Sequence, residues 1–158
     1  MKKYFLFLFL IPLFSTSQNW LKHIGSDQHE EILDITHDDG GNVLMAGYHS
    51  SNLTISGTTL TAGGVSQALM TKTNSGGTVN WLKNIGGSGA DRAYAIATDG
   101  NGNVFSTGYL SGSFDQEGIN VTTVNNSRDI YVSKHDANGN LLWIKTAGGP
   151  NGDTGYGI

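Results

Sequence analysis

The residues in this chain that could do chemistry begin with carboxylates set among Asn and Gly. Asp136-Ala-Asn138-Gly-Asn140 puts side-chain oxygens at alternate positions, the spacing with which a calcium loop collects its ligands. Asp99-Gly-Asn101-Gly-Asn103 and Asp38-Asp39-Gly-Gly-Asn42 are versions of the same phrase. The glycine lies inside the triplet, however, and no Glu follows at the distance an EF-hand requires. The phrase therefore reads as a turn in which Asp bonds back to its own chain, with Ca²⁺ kept as the alternative and no cofactor expected.

Histidines come next. His23, His29, His37 and His49 raise a zinc reading, but no spacing among them is that of a zinc motif, and the chain has no Cys to complete one. No metal ligand is assigned, and they read as surface or groove histidines. Asp38/Asp39 and Asp115/Glu117 are carboxylate pairs of the kind common on solvated loops, and spacing alone does not make them a glycosidase pair. Gly86-Gly87-Ser88-Gly89 lacks the Lys-Ser/Thr ending of a phosphate loop. There is no Gly-x-Ser-x-Gly elbow and no His-Glu-x-x-His. No catalytic residue is named on these grounds, and ligand-binding residues stay unassigned.

The elements that position these residues follow from a repeat. Trp20, Trp81 and Trp143 stand 61 and 62 residues apart, each opening a similar phrase: Trp20-Leu-Lys-His-Ile-Gly, Trp81-Leu-Lys-Asn-Ile-Gly, Trp143-Ile-Lys-Thr-Ala-Gly. The match continues: Ile35 with Ile96, Asp38 with Asp99, Gly47-Tyr48 with Gly108-Tyr109, then Lys72 with Lys134 and Gly77 with Gly139. Such periodicity decides architecture before any local reading does. The four histidines of the first copy fall opposite Asn84, Ala90, Thr98 and Leu110, so they are not framework. The repeat-matched tryptophans, and Tyr48 with Tyr109, read as packing residues rather than sugar-stacking ones.

Each repeat holds four short segments rich in Val, Ile, Tyr, Phe and Thr, as strands prefer. In the second they are Tyr94–Thr98, Asn103–Tyr109, Ile130–His135 and Leu141–Thr146, with an extra hairpin over Ser113–Val124. Val43-Leu44-Met45-Ala46 and Ile130-Tyr131-Val132 are apolar on both faces, which predicts sheets covered on both sides by neighbouring sheets. Stacked units of four short antiparallel strands are the plan of a β-propeller, with Gly86–Asp91 crossing from one blade to the next.

The phrase Trp-x-Lys-x-x-Gly-Gly-x-Gly-x-Asp-x-Ala-Tyr-x-Ile-x-x-Asp-x-x-Gly-Asn-Val-x-x-x-Gly-Tyr, from Trp81 to Tyr109, resembles the bacterial SBBP-type β-propeller repeat. Asp129-Ile-Tyr-Val-Ser-Lys-His-Asp-Ala-Asn-Gly-Asn140 also resembles it, and the likeness runs through nearly all of the chain after its leader. The first copy departs from the pattern, with Glu30 and Glu31 where the second has Asp91 and Arg92. The resemblance implies an all-β propeller fold and an exported setting, and no single activity.

Residues 1–17 read as a signal peptide: Lys2-Lys3, an apolar run from Tyr4 to Phe14, then Ser15-Thr16-Ser17. The run is too short to span a bilayer. Residues 18–158 are then the repeat region, divided at about 20–80, 81–142 and a third copy, 143–158, that is cut off. Without Lys2 and Lys3 the chain has seven basic and thirteen acidic residues, a poor footing for nucleic acid or anionic lipid. Two repeats and a fragment cannot close a ring of about 4 to 8 blades. Ile158 is accordingly expected to be a truncation, and the remaining blades of a longer chain to be partners. The Trp20 segment is expected to be the closing outer strand of a blade.

The expected function is a secreted or cell-surface scaffold that binds protein or glycan without catalysis. The alternative is the propeller portion of a secreted polysaccharide-acting enzyme.

Overall fold

The computed structural model describes Trp20, Leu21 and residues 23–158. The expected signal segment lies outside the described residues. From the first repeat come β1 (Glu30–His37), β2 (Val43–His49), β3 (Leu53–Ile55), β4 (Thr58–Leu60), β5 (Gln67–Thr73) and β6 (Val79–Ile85). From the second come β7 (Arg92–Thr98), β8 (Val104–Ser111), β9 (Ser113–Gln116), β10 (Ile119–Thr122), β11 (Arg128–His135) and β12 (Leu141–Ala147). Two antiparallel four-stranded sheets result, ordered β1-β2-β5-β6 and β7-β8-β11-β12. These are propeller-type blades, and two of them do not close a ring. The four strands expected in the second repeat are all present, as is the inserted hairpin, now β9–β10. Its first-repeat counterpart is β3–β4. Each hairpin turns on a pair of positive-φ residues, Ser56 with Gly57 and Glu117 with Gly118, which is the I′ geometry that matches strand twist.

The repeat extends to irregularities. The pairing slips between Ile32 and Asp34 in β1, and between Ala93 and Ala95 in β7. Each bulge presses a carbonyl onto the neighbouring strand. A Cβ at Gly47 would collide with the Glu31 carbonyl, and one at Gly108 with the Arg92 carbonyl. The Gly-Tyr dipeptide of the repeat is thus explained by backbone proximity.

Matched positions exchange burial between the sheets. Leu44, Lys72 and Trp81 share one row of the first sheet and are buried; their partners Phe105, Lys134 and Trp143 share the matching row of the second and are not. Conversely Ile96 is 4% exposed and its partner Ile35 is 62% exposed. The cause is stacking: the second sheet covers only one face of the first, forming a core with Leu44, Met70, Trp81, Ile96, Val104 and Tyr131. The sequence expectation that both faces are covered therefore holds at this shared core, and where β3–β4 and Ile24 bury Leu69 and Leu82 on the far face of the first sheet, but not over the remaining outer surface. There Ile35, Leu142 and Trp143 meet solvent.

The segment after β12 starts a third copy. Asp153 N–H donates to the Arg128 carbonyl at 2.7 Å, as Asp91 N–H donates to the Ser66 carbonyl at 3.0 Å one repeat earlier. At the other end, Trp20, Leu21 and residues 23–29 form no strand, so the expected outer strand is not present there. Ile24 still packs beside Leu53, Leu69 and Leu82.

Candidate functional site

The strand order gives the molecule two rims. One carries the β1–β2, β5–β6, β7–β8 and β11–β12 turns. The other carries the crossings between sheets and the inserted hairpins.

On the turn rim the chemistry is spent on the backbone. Asp38 Oδ1 accepts from Gly40 and Asn42 N–H, and Asp99 and Asp136 repeat the arrangement with Asn101/Asn103 and Asn138/Asn140, all between 2.9 and 3.0 Å. The second oxygen of each takes the Asn amide at 2.7–2.8 Å. Asn74 closes the β5–β6 turn in the same way, through Gly76 and Thr78 N–H. A neutral amide does the same work there, so the motif needs an acceptor oxygen and not a charge. These oxygens are occupied by N–H donors, which is the Asx-turn reading of the sequence. Among the described residues no three His, Asp or Glu side chains are grouped to hold a metal ion.

Asp38 has a further partner, Lys72 Nζ at 2.8 Å, both side chains nearly covered. Burial pushes the Asp38 carboxyl up, but bonds from Lys72 and Asn42 outweigh it and hold the group at about 2. The tryptophans also act on this rim. Trp81, in the last strand of the first sheet, lays its ring against Gly139 and donates its indole N–H to the Ala137 carbonyl at 3.2 Å. Trp20 does the same to Gly77 and to the Ser75 carbonyl at 2.9 Å. Each ring caps the last turn of the following sheet. His135 ends β11, 2% exposed, with Nδ1 lacking a partner. Burial disfavours its charged form and lowers it to about 4. Its repeat partner Thr73 is equally buried, with Oγ1 unpartnered. His37 ends β1 on the same rim, its carbonyl accepting from Thr98 Oγ1 at 3.4 Å.

The crossing rim is held by a carboxylate that recurs. Asp91 accepts from Gly87 N–H at 3.0 Å and from Ser111 N–H at 2.8 Å. Asp153 accepts from Gly149 N–H at 2.8 Å, and Glu30 from Ser26 N–H at 3.1 Å. The departure of the first copy at Glu30 is therefore a substitution within one role. Asp91 is fully buried with no cation beside it, and burial raises its carboxyl to about 6 against the pull of the two N–H donors. The Gly86–Gly89 crossing is a packed linker: a Cβ at Gly87 would meet the Phe114 ring. Arg92 stacks over the Tyr48 ring at 3.9 Å, a cation–π contact from one sheet to the other. Arg128 lies over Tyr109 at 5.2 Å, and Tyr94 joins Tyr109 to Tyr156.

His23 and His29 are exposed in the segment leading into β1. His49 is buried at the end of β2, its Nδ1 paired with the Ser51 carbonyl at 2.7 Å and its Nε2 unpartnered. The structure does not bring the four first-copy histidines together, since His37 stands on the opposite rim. Asp115 serves the β9–β10 turn through Gly118 N–H at 2.8 Å, and Glu117 pairs with Lys83 across the sheets at 3.1 Å.

Between the segment leading into β1 and the base of β3–β4 lies an open cleft of about 610 Å³, lined among others by Ser26, Asp27, Gln28, Ser51, Asn52 and Thr54. Ser26 Oγ is bonded to Glu30 and Ser51, and Asn52 Oδ1 accepts from Ala62 N–H at 2.9 Å, so the floor is fixed from below. A smaller cleft of about 370 Å³ occupies the matching place in the second sheet, lined by Ser88, Gly89, Ser111, Gly112, Ser113 and Asn126. The sequence did not single out Asp27, Gln28 or Asn52. The signal available was their failure to match Ser88, Gly89 and Ser113 in the repeat alignment.

Among the described residues no helix is long and apolar enough to cross a membrane. No curated protein matches the chain. Residues 80–115, from the last strand of the first sheet to the inserted hairpin of the second, match the family of the SBBP beta-propeller repeat. With four-stranded blades and a second copy of the motif in register, this is a chain built on the SBBP-type β-propeller repeat.

Proposed function

We propose that the chain is an exported propeller scaffold that binds protein or glycan through its crossing rim and leaves the ligand chemically unchanged. One observation carries this reading. The matched turns, Gly-Tyr dipeptides and tryptophans hold the frame, whereas the crossing rim of the first sheet carries an open cleft whose exposed Asp27, Gln28 and Asn52 have Ser88, Gly89 and Ser113 at the matched positions. A constant frame with variable loops is how binding scaffolds divide their labour. The leader-like start, Lys2-Lys3 followed by Tyr4–Phe14, supports export.

Labelled protein screened against glycan and protein arrays tests the proposal, with each ligand then followed for turnover. Saturable binding with an unaltered ligand is expected. Conversion of a ligand, or no binding on either array, would overturn the reading. Export is checked by expressing the whole chain in a bacterium and measuring the mass of the mature protein, which should begin near Gln18.

A further inference from the structure

We infer that the cleft of the first sheet is a subsite for a neutral saccharide bearing adjacent hydroxyl groups. This deepens the binding-scaffold reading and rests on it. The cleft's side chains set its chemistry. Asp27 offers a carboxylate that can accept from two neighbouring hydroxyls at once, and Gln28 offers an amide that both donates and accepts. Both are exposed, and neither side chain is bonded to another described residue. Asn52 is already oriented, since its Oδ1 is tied to Ala62 N–H and its NH₂ is left for a ligand. Ser26, Ser51 and Glu30 brace the floor beneath them. Unpaired donors and acceptors around an open polar hollow suit a ligand made of hydroxyls, because every hydrogen bond broken to water can be replaced.

The same composition argues against other ligands. Among the described residues no Lys or Arg lines the cleft, and Asp27 repels phosphate, sulfate or uronate. Among the described residues the lining has no aromatic or large aliphatic side chain that would hold a lipid.

The second sheet supplies an internal control. Its cleft stands at the matching position, smaller and lined by Ser, Gly and a single Asn, Asn126, with no carboxylate or Gln. Gly89, the counterpart of Gln28, has no room for a side chain: its Cβ would meet Ser111 Cβ at 2.7 Å and the Ser111 carbonyl at 2.9 Å. The first copy has therefore widened and decorated a place that the second keeps smaller and without a carboxylate.

Saturation-transfer NMR and calorimetry on the full chain, with methyl α-mannoside, methyl β-galactoside, cellotetraose and glucuronate as probes, provide the test. Binding of at least one neutral probe in preference to glucuronate is expected. Asp27→Ala and Gln28→Ala, both at exposed positions, should each weaken it roughly tenfold or more, as loss of a hydrogen bond to a charged or fixed group does. Ser88→Ala in the second cleft should leave it unchanged. Asp27→Asn should narrow the preference against glucuronate. Neutral-sugar binding untouched by the Asp27 and Gln28 changes would overturn the subsite while leaving the scaffold reading in place. Absence of sugar binding, with a protein ligand found on the arrays, would do the same. Circular dichroism melts matching the parent chain confirm that any loss is local.

Discussion

Trp81→Ala should cost far more stability than Trp143→Ala, although the two residues occupy one position of the repeat. Trp81 is 8% exposed and Trp143 is 37% exposed. A tryptophan offers about 250 Å² to burial, so the difference is roughly 70 Å², or ~2 kcal/mol at about 25 cal/mol/Å². Trp81 also donates to the Ala137 carbonyl, a bond worth about 1 kcal/mol net. The Trp143 indole has no such acceptor among the described residues; its ring meets Phe105 edge-on at 6.3 Å. The two variants should therefore differ by ~3 kcal/mol. With a urea slope of about 2 kcal/mol/M, their midpoints should lie ~1.5 M apart. Far-UV circular dichroism is the appropriate probe, since it does not rely on the residue removed. Midpoints agreeing within about 0.3 M would refute the argument that sheet stacking, rather than repeat position, sets the energy.

Other expectations follow from the same contacts. Thr73→Val removes a buried hydroxyl without a partner and keeps its shape, so the urea midpoint should rise by the equivalent of ~1 kcal/mol. Gly108→Ala drives a Cβ into the Arg92 carbonyl and should cost ~3 kcal/mol or more, whereas Gly112→Ala, with open space around it, should cost only the strain of its positive φ, about 1 kcal/mol. Both are read by thermal melts. His135 and Asp91 give opposed pH dependences. His135 is lowered from 6.5 to about 4, so its contribution is present above pH 6.5 and is lost as pH falls through 4. Asp91 is raised from 3.8 to about 6, so its contribution is present below pH 3.8 and is lost as pH rises through 6. Relative to the parent, His135→Gln should gain in urea midpoint as pH is lowered from 7 to 5, and Asp91→Asn should lose.

Much of this architecture is written in local pattern. Strand composition, the Asp-x-x-Gly-Asn turns and the tryptophan spacing carry information within a few residues of each element, so the blades could be read directly. The reading of the Asp turns as self-bonded also needed only neighbours. What could not be read depends on what lies opposite. Leu44 and Phe105 look alike in sequence, and only the one-sided stacking makes the first buried and the second half-buried. The Trp20 phrase resembles the Trp81 phrase, yet residues 23–29 form no strand, because a matching composition supplies no neighbouring strand to pair with. Lys72 and Asp38 lie 34 positions apart, and nothing in their spacing announces an ion pair. The cleft residues were passed over for another reason: Asp27, Gln28 and Asn52 belong to no motif, and only the surrounding surface joins them.

The tryptophan cap carries a consequence for the order in which the chain acquires its structure. Each sheet draws on one contiguous stretch of chain, so its pairing can finish before anything downstream exists. The bond from Trp81 to Ala137 spans 56 residues and needs the last turn of the following sheet in place. Until that turn forms, the indole has no carbonyl to meet and no glycine to rest on. Each finished sheet thus waits with its tryptophan unseated and is locked only when its successor is complete. A chain emerging from one end would settle in steps, and a defect in a late turn would loosen the sheet before it.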